Sequence, residues 1–233
     1  MKLTCTQENF SHGLGIVNRA VANRSTLPIT QNVLLTTDKS RLKLSATNLE
    51  IGITTWIGGD VDDEGAITVP ARLLSEFVNS LPSGNISLEL MPGTGVLELK
   101  CGNAEARING ADADEFPPIP AVDEGVGARI EQGILKRAIA RVAFAAATEE
   151  SRPVLTGVEV RLSAANFTVA AADGFRLAVQ HGSLMEQVDQ DVEVIIPART
   201  LNELGRLLGN QTDSVEILMT PSKGQILFRL PDI

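Results

Sequence analysis

Aromatic residues are scarce in this 233-residue sequence, and tyrosine is absent altogether. Phenylalanine and tryptophan together make up only 3% of the chain. Proteins that hold single-stranded nucleic acid by stacking its bases need aromatic side chains for that contact. The composition therefore argues against a protein that reads or holds unpaired bases.

Cysteine and histidine are also rare, with 2 residues of each. Cys5 and Cys101 lie in apolar, strand-like runs, which is typical of small core residues; a disulfide or a reactive thiol is the alternative. His12 and His181 lack the spacing of metal ligands, and there is no zinc finger, basic zipper or Gly-x-x-x-x-Gly-Lys-Ser/Thr loop. The sequence therefore gives an enzyme little support, and we expect no cofactor and no metal.

Long hydrophobic runs are missing as well. No apolar segment approaches the ~20 residues that span a membrane, and residues 1–4 do not open a signal peptide. We therefore expect a cytoplasmic protein without a membrane partner. Asp173-Gly174 predicts a turn, and Asp62-Asp63-Glu64 predicts a solvated acidic loop.

What the sequence does contain is a long internal repeat. Three segments recur 125 to 127 residues further on: Leu27–Thr30 as Arg152–Leu155, Ala46–Leu49 as Ala171–Gly174, and Val69–Arg72 as Ile196–Arg199. Solenoid and propeller units run roughly 20–50 residues, so a repeat of this length is a whole domain. We predict two domains, residues 1–120 and 121–233, with a linker rich in Pro, Asp and Gly over residues 112–127.

Each repeat has the pattern of a strand, a helix and three strands, followed by the same series again. Phe10, Leu14, Val17 and Val21 are spaced 3–4 residues apart, which predicts one buried helix face. Helices are predicted over residues 7–24, 71–81, 131–147 and 198–208. Strands are predicted over residues 3–6, 32–37, 41–47, 49–57, 66–69, 85–91, 95–100, 104–109, 166–171, 174–180, 215–219 and 225–230. Two helices and several antiparallel strands per domain indicate an α+β fold, with the helices packed on one side of the sheets.

Charge is distributed unevenly between these elements. The net charge is −9, yet the predicted helical segments carry +5, and residues 129–147 hold four basic residues and one acidic residue. One interpretation is ordinary propensity, with basic residues in helices and acidic residues in turns. The other is a helix-lined track for a polyanion, with an acidic exterior that discourages binding elsewhere. Without a base-reading motif, contact to DNA would be to phosphates and indifferent to sequence.

Several segments, in this order and spacing, resemble the bacterial β sliding clamps, the processivity subunits of DNA polymerase III. These segments are Leu27–Ile29, Ala46–Glu50, Thr68–Arg72, Ser151–Val158, Ala172–Ala178 and Ile196–Arg199. The resemblance extends over essentially the whole chain. It implies a DNA clamp fold whose helices line the hole of a ring, and the ring encircles duplex DNA. The implied role is that of a non-catalytic subunit, because the ring prevents the polymerase from dissociating.

The resemblance also implies partners. They are double-stranded DNA contacted at its phosphates, the replicative polymerase, the clamp loader, repair and other clamp-motif proteins, and further copies that close the ring. Family members have three such domains, and this sequence ends near the close of its second, so the third clamp domain is expected to be absent. The alternatives are an incomplete fragment or two-domain scaffold that cannot close a ring, and a ring of three two-domain subunits.

Two arginines correspond to DNA-contacting positions in the family. They are Arg24, at the end of the first helix, and Arg152, in the loop over residues 148–153. Pro153 stands in a region where some members carry aromatic residues, so the resemblance implies contact by charge rather than by aromatic packing. For Arg24 the alternative is a solvated arginine favoured by the helix dipole.

Five further basic residues are candidates from their position alone. Arg72 and Arg199 lie at predicted helix starts, where a cation opposes the helix dipole, and this favours a functional role. Lys136, Arg137 and Arg141 lie on the polar side of the helix over 131–147. A solvated helix face is the alternative for these three.

The family also docks its partners through a short apolar peptide that enters a pocket between the second and third domains. The second-domain half corresponds to Leu155, Ala172, Gly174, Phe175, Arg176 and Leu177. Ala172 and Phe175 replace a threonine and a histidine that are common in the family, and both keep an apolar wall. We expect weak peptide binding, because half of the pocket is absent. Core packing is the alternative for Leu155 and Leu177.

Overall fold

The computed structural model describes residues 1–23, 25–120, 125–149, 151–209, 213–220 and 224–233. The contacts divide the chain into two compact units. Unit 1 comprises Met1–Ile119 together with Asp232–Ile233, and unit 2 comprises Pro120–Pro231. Within the described residues, none of the helices has the length and apolar character needed to cross a bilayer.

Unit 1 packs two helices, α1 (Gln7–Val17) and α2 (Ala71–Ser80), on antiparallel sheets. Its described strands are β1 (Lys2–Thr6), β2 (Asn32–Asp38), β3 (Arg41–Thr47), β4 (Gly52–Gly58), β5 (Asp60–Asp63), β6 (Ala66–Pro70), β7 (Asn85–Met91), β8 (Val96–Cys101) and β9 (Ala104–Asn109). They form sheets of order β5-β1-β7-β8-β9 and β4-β3-β2-β6. Because α1 contacts β3 and β4 while α2 contacts β2 and β6, both helices pack on the four-stranded sheet.

Unit 2 repeats this arrangement with α3 (Gln132–Val142) and α4 (Ala198–Leu207). Its described strands are β10 (Val126–Glu131), β11 (Gly157–Ser163), β12 (Asn166–Ala172), β13 (Leu177–Ser183), β14 (Val192–Pro197), β15 (Ser214–Met219) and β16 (Ile226–Arg229). They form antiparallel sheets of order β13-β12-β11-β14 and β10-β15-β16. Helix α3 contacts β12 and β13, and α4 contacts β14. The predicted α+β fold is confirmed.

The sequence repeat recurs in the backbone hydrogen bonds. In unit 1, Ala22 N donates to Thr30 O at 3.1 Å. In unit 2, Ala147 N donates to Leu155 O at 2.8 Å. Both members of the second pair stand 125 residues after their counterparts, the same offset that relates the sequence segments. The two units therefore fold their repeated segments in the same way.

Helix α1 forms where a capping residue precedes a one-sided apolar pattern. Thr6 caps the helix, because its Oγ1 accepts a hydrogen bond from Asn9 N at 3.2 Å. Phe10, Leu14 and Val17 are buried at 0–1% exposure, as their spacing predicts.

Both long helices end earlier than the sequence predicts. The first gives way at Val17 to a 3₁₀ turn over Asn18–Ala20, and α3 gives way at Val142 to a 3₁₀ turn over Ala143–Ala145. The predicted extensions to residues 24 and 147 are wrong, because the chain is extended at Val21 (φ −71°, ψ 133°) and at Ala146 (φ −67°, ψ 148°). After Val21, Ala22 N donates to Thr30 O in the 3₁₀ turn over Pro28–Gln31. Apolar residues continue past the helix end, so periodicity alone does not locate it.

Other predicted boundaries are also corrected. The acidic segment expected to be a loop at residues 62–64 lies largely in β5, which pairs with β1 and places Asp63 opposite Lys2. The predicted strands 49–57 and 174–180 begin later, at Gly52 and Leu177, because a side-chain-capped turn precedes each of them. Strand β10 occupies the end of the predicted linker and includes Glu131, the predicted start of the helix.

Cys5 and Cys101 are both buried and free, so the disulfide alternative is wrong. Burial raises the pKa of the Cys5 thiol to about 12. Cys5 therefore stays protonated at neutral pH and behaves as a small apolar core residue.

Glu98 of β8 is an acidic residue held inside a charged cluster on the five-stranded sheet. Its side chain is only 7% exposed, and it forms an ion pair with Lys100. Arg107 of β9 donates from Nε to Glu98 Oε1 at 2.9 Å. The hydrogen bonds from Lys100 and then Arg107 lower the pKa of Glu98 from 4.5 to about 2. These contacts therefore stabilise the fold above about pH 4.5, and their contribution is lost as pH falls toward 2.

We expect Glu98→Gln to lower the melting temperature at pH 7, because the variant keeps the shape of the side chain but loses its charge. The difference from wild type should shrink as pH falls from 4.5 toward 2, where Glu98 itself becomes protonated. Thermal denaturation across this range measures it. Glu89→Gln is the matched control, since Glu89 is 43% exposed and lies 3.6 Å from Lys2. A Glu98→Gln difference that stays constant with pH would contradict the assignment.

Candidate nucleic-acid interface and docking surface

Three basic side chains lie on the side of α3 that faces away from its core. Leu135, Ala138, Ile139 and Val142 are buried on the opposite side, as the sequence pattern predicts. Arg137 and Arg141 are exposed and Lys136 is half-buried, while α3 contains no acidic residue. Arg141 Nη1 donates to Gln180 Oε1 of β13 at 3.3 Å, which steadies one end of this face. We call Lys136, Arg137 and Arg141 the basic face of α3.

The other basic candidates stand in different settings. Arg72 is the second residue of α2 with its side chain 91% exposed, and its Nε donates to Glu76 Oε1 at 2.8 Å. This hydrogen bond raises the pKa of Arg72, and it gives the residue a role within α2 that the sequence argument missed. Arg199 is exposed as the second residue of α4. Arg24 lies outside the described residues.

The positive charge of the described helices is concentrated in α3. Helix α1 contains Glu8 and no basic residue, because Arg19 lies in the following 3₁₀ turn. Helix α1 as it is formed therefore adds no positive charge to the +5 predicted for the helical segments. In α2 the charge of Arg72 is balanced by Glu76.

Asp173 organises the turn between β12 and β13. Its Oδ1 accepts hydrogen bonds from Phe175 N at 2.9 Å and from Arg176 N at 3.0 Å. Its Oδ2 accepts from Arg176 Nε at 2.9 Å. The backbone donors, first Phe175 and then Arg176, lower the pKa of Asp173, so the carboxylate that holds the turn stays charged. The predicted turn at Asp173-Gly174 is confirmed.

Arg152 lies against this turn. Its Nη2 donates to Asp173 O at 3.2 Å, although the two residues are 21 positions apart. A Cβ added to Gly174 would stand 3.0 Å from Arg152 Nη1. The structure therefore joins one candidate DNA contact to the residues that the resemblance assigns to peptide docking.

Large apolar side chains surround the turn and remain in contact with solvent. Phe175 is 96% exposed and Leu177 is 69% exposed, so core packing is the wrong reading for Leu177. Sequence reasoning missed Val154, 66% exposed, and Phe144, 60% exposed. The Arg176 guanidinium carbon lies 5.5 Å from the centre of the Phe144 ring, a cation–π contact.

Leu155 and Ala172, which the resemblance assigns to the same pocket, are half-buried. Phe144 carried a usable signal, since it falls outside the spacing of the buried residues on α3. We call the whole group the docking surface. It comprises Phe144, Arg152, Val154, Leu155, Ala172 and residues 174–177.

The two histidines belong to different units. His12 belongs to unit 1, whereas His181 belongs to unit 2 and its Nδ1 lies 2.9 Å from Thr168 Oγ1. In the part of the chain that the structure describes, no group of three or more His, Cys, Asp or Glu residues is placed to hold a metal ion.

Gly174 is needed at its position because its φ is +94°, where a β-branched residue is strained. We expect Gly174→Val to weaken the turn by about 1–2 kcal/mol. Faster hydrogen exchange at the amides of Phe175 and Arg176 would report it. Gly102→Val is the matched control, because Gly102 has φ +57° in the β8–β9 hairpin. Unchanged protection of both amides in Gly174→Val would contradict this account.

Solved structures share this fold along nearly the whole chain. The DNA polymerase sliding clamp of Bacillus subtilis superposes with a TM-score of 0.95 at 29% identity, covering 100% of this chain and 62% of that one. A sliding clamp of Pseudomonas aeruginosa bound to griselimycin gives a TM-score of 0.87 at 30% identity, covering 95% of this chain and 60% of that one. The fold is thus that of the DNA clamps.

Sequence comparison defines the family. Residues 1–120 match the family described as DNA polymerase III beta subunit, N-terminal domain, and residues 129–233 match its central domain. The Beta sliding clamp of Synechocystis sp. is 37% identical over 250 residues, covering 100% of this chain and 64% of the relative. The Beta sliding clamp of Bacillus subtilis is 30% identical over 241 residues, covering 100% of this chain and 63% of the relative. The chain belongs to the DNA polymerase III beta subunit family, and it spans less than two thirds of the length of these relatives.

Proposed function

We propose that this chain supplies two domains, residues 1–120 and 121–233, of a sliding clamp that encircles duplex DNA and holds the replicative polymerase on it. The observation that carries the proposal is the basic face of α3, in a chain of the beta subunit family. The role is topological, because a ring that cannot leave the duplex keeps its partner there without taking part in bond formation.

DNA contact runs through phosphates. Lys136, Arg137 and Arg141 present three positive charges on a helix without acidic residues, and a phosphate backbone attracts such a surface whatever its base sequence. The remaining contacts in the proposal are Arg24, Arg72, Arg152 and Arg199. Arg72 is the least favoured of them, since its charge is partly engaged by Glu76.

The docking surface binds a short apolar peptide carried by the polymerase, the clamp loader and other clamp-motif proteins. Phe175 and Leu177 offer exposed apolar area close together in the chain, and apolar side chains left in water favour association. Asp173 and Phe144 hold the Arg176 side chain in place, so the guanidinium that would contact a ligand is positioned before the ligand arrives.

Fluorescence anisotropy with labelled duplexes of unrelated sequence tests the DNA contact. We expect the same affinity for each duplex and a steep decrease with salt, because counterions are released from the phosphates on binding. Affinity that differs with sequence, or that does not change with salt, would overturn the proposed contact.

Griselimycin is the probe for the docking surface, since the Pseudomonas aeruginosa clamp was solved with it bound. We expect it to shift the amide signals of Gly174, Phe175 and Leu177 in an NMR titration of the full chain, and Leu177→Asp to abolish the shifts. Leu73→Asp is the control, because Leu73 is an exposed apolar residue of unit 1, at 51%. Shifts that survive Leu177→Asp would place the ligand elsewhere.

Self-association of the chain is tested by sedimentation equilibrium. A mass three times the 24.8 kDa of one chain would mean that six domains close a ring from this sequence alone. A single 24.8 kDa species would mean that ring closure requires a further domain.

A further inference from the structure

Unit 1 contains a counterpart of the Asp173 turn. Asn48 Oδ1 accepts hydrogen bonds from Glu50 N at 3.0 Å and from Ile51 N at 2.8 Å. Asp173 Oδ1 accepts from Phe175 N and Arg176 N, which stand at the same two positions after it. Thr47 pairs with Gly52 across β3 and β4. The equivalent pair across β12 and β13 is Ala172 with Leu177. In strand register, therefore, Gly52 is the counterpart of Leu177.

Leu49 in this turn is both strained and exposed. Its φ is +75°, a region that non-glycine residues rarely adopt, and its side chain is 61% exposed. The counterpart in unit 2 is Gly174, for which positive φ carries no steric cost. A leucine kept in such a conformation in water contributes little to the core, and strained residues of this kind cluster at binding sites.

A side chain of unit 1 also lies over this turn. A Cβ added to Gly52 would stand 3.0 Å from Cγ2 of Ile119 and 3.4 Å from its Cδ1. Ile119 therefore fills the space in which a side chain at position 52 would project. The segment that carries it is anchored by Phe116, which is only 7% exposed.

We propose that unit 1 carries a second docking site for a short apolar peptide, at residues 47–52, and that the chain's own segment over residues 116–119 occupies it. The proposal rests on the proposed function of the docking surface in unit 2. Glycine at position 52 leaves room for Ile119, whereas leucine at position 177 offers its own side chain to an incoming ligand.

A tethered occupant excludes outside ligands efficiently. Because the buried Phe116 holds the segment in unit 1 three residues before Ile119, the effective concentration of Ile119 at the site is in the millimolar range. Pro117 and Pro118 also restrict the backbone of the segment, so little conformational entropy is lost when it docks. An outside peptide at micromolar concentration therefore does not displace it, and of these two turns the one in unit 2 is open to a ligand in the native chain.

Two variants of the full chain test this site. Ile119→Ser removes the side chain that fills the site, and Gly52→Leu blocks the same space with the side chain found in unit 2. The probe is a fluorescein-labelled peptide with the sequence of residues 113–119, followed by anisotropy and by the amide signals of Asn48, Leu49 and Glu50. Leu73→Ser, on α2, is the control.

We expect Ile119→Ser to bind the probe at least roughly tenfold more tightly than wild type, with shifts at all three amides. Gly52→Leu should not gain this binding, because its leucine fills the space that Ile119 of the probe would enter. If Ile119 merely supplies an apolar wall, Ile119→Ser gains none of those shifts, and the proposal is overturned. Equal probe binding by Gly52→Leu would overturn it as well. Griselimycin titrated into the same variants reports on the unit 2 surface separately. Loss of its unit 2 shifts would contradict the proposed function, whereas absent unit 1 shifts contradict only the second site.

Discussion

Replacing Lys136, Arg137 and Arg141 together by glutamate is expected to weaken duplex binding on the order of 10²–10³-fold at 0.1 M salt. Each phosphate contact contributes about 0.9 to the salt slope, so the loss of three contacts lowers that slope by about 2.7. The side chains of Arg137 and Arg141 are exposed, and α3 keeps its buried side, so the fold should remain intact.

The measurement is fluorescence anisotropy with one labelled duplex across a range of salt concentrations. The matched control replaces three basic residues on the β2–β3 hairpin of unit 1 by glutamate, which changes the net charge by the same amount. These residues are Lys39, Arg41 and Lys43. We expect the control to retain most of the affinity and its salt slope. Equal losses in the two variants would show that net charge, rather than the basic face of α3, governs binding.

Phe167→Ala is expected to destabilise unit 2 by about 3–5 kcal/mol, since it removes a large side chain from a packed interior. Phe167 lies in β12 at 1% exposure. A Cβ added to Gly182 would stand 2.3 Å from the Phe167 ring, so the absence of a side chain at position 182 makes room for it. The opened space lies among packed core side chains such as Leu135, Val160 and Met219, and their close packing limits how far they can collapse into it.

Urea denaturation followed by circular dichroism measures this loss, and hydrogen exchange on the peptides of β11 and β12 localises it. Phe175→Ala is the matched control: the same substitution in the same unit, at a side chain that is 96% exposed. We expect the control to stay within about 0.5 kcal/mol of wild type. A loss of protection no larger in Phe167→Ala than in Phe175→Ala would contradict the assignment of Phe167 to the core.

The docking surface was only partly predictable from sequence. Its turn follows from the local chemistry of Asp173 and Gly174, because an aspartate side chain bonds to backbone amides within three residues. The exposure of Leu177 did not follow, since an apolar residue at the start of a strand is compatible with either face. The cation–π contact of Arg176 with Phe144 joins residues 32 positions apart, and no local pattern encodes it.

In helix α1, likewise, the sequence predicts the buried face but not the point at which the helix ends. Phe10, Leu14 and Val17 line the buried side of α1 as their spacing predicts, because 3.6 residues per turn determine which side chains share a face. The end at Val17 depends instead on Ala22 bonding to Thr30. A hydrogen bond formed beyond the helix competes with further helical turns, and periodicity does not register that competition.

By itself, the sequence determined the repeat, the α+β class, the buried side of each long helix and the excess of basic residues over residues 129–147. These properties depend on residue order and on the fixed geometry of helices and strands. Only the tertiary structure decided that Arg152 lies against Asp173, that Leu177 remains exposed, and that Ile119 covers Gly52. The last contact joins residues 67 positions apart, and its formation depends on the path of the chain between them, which no local pattern specifies.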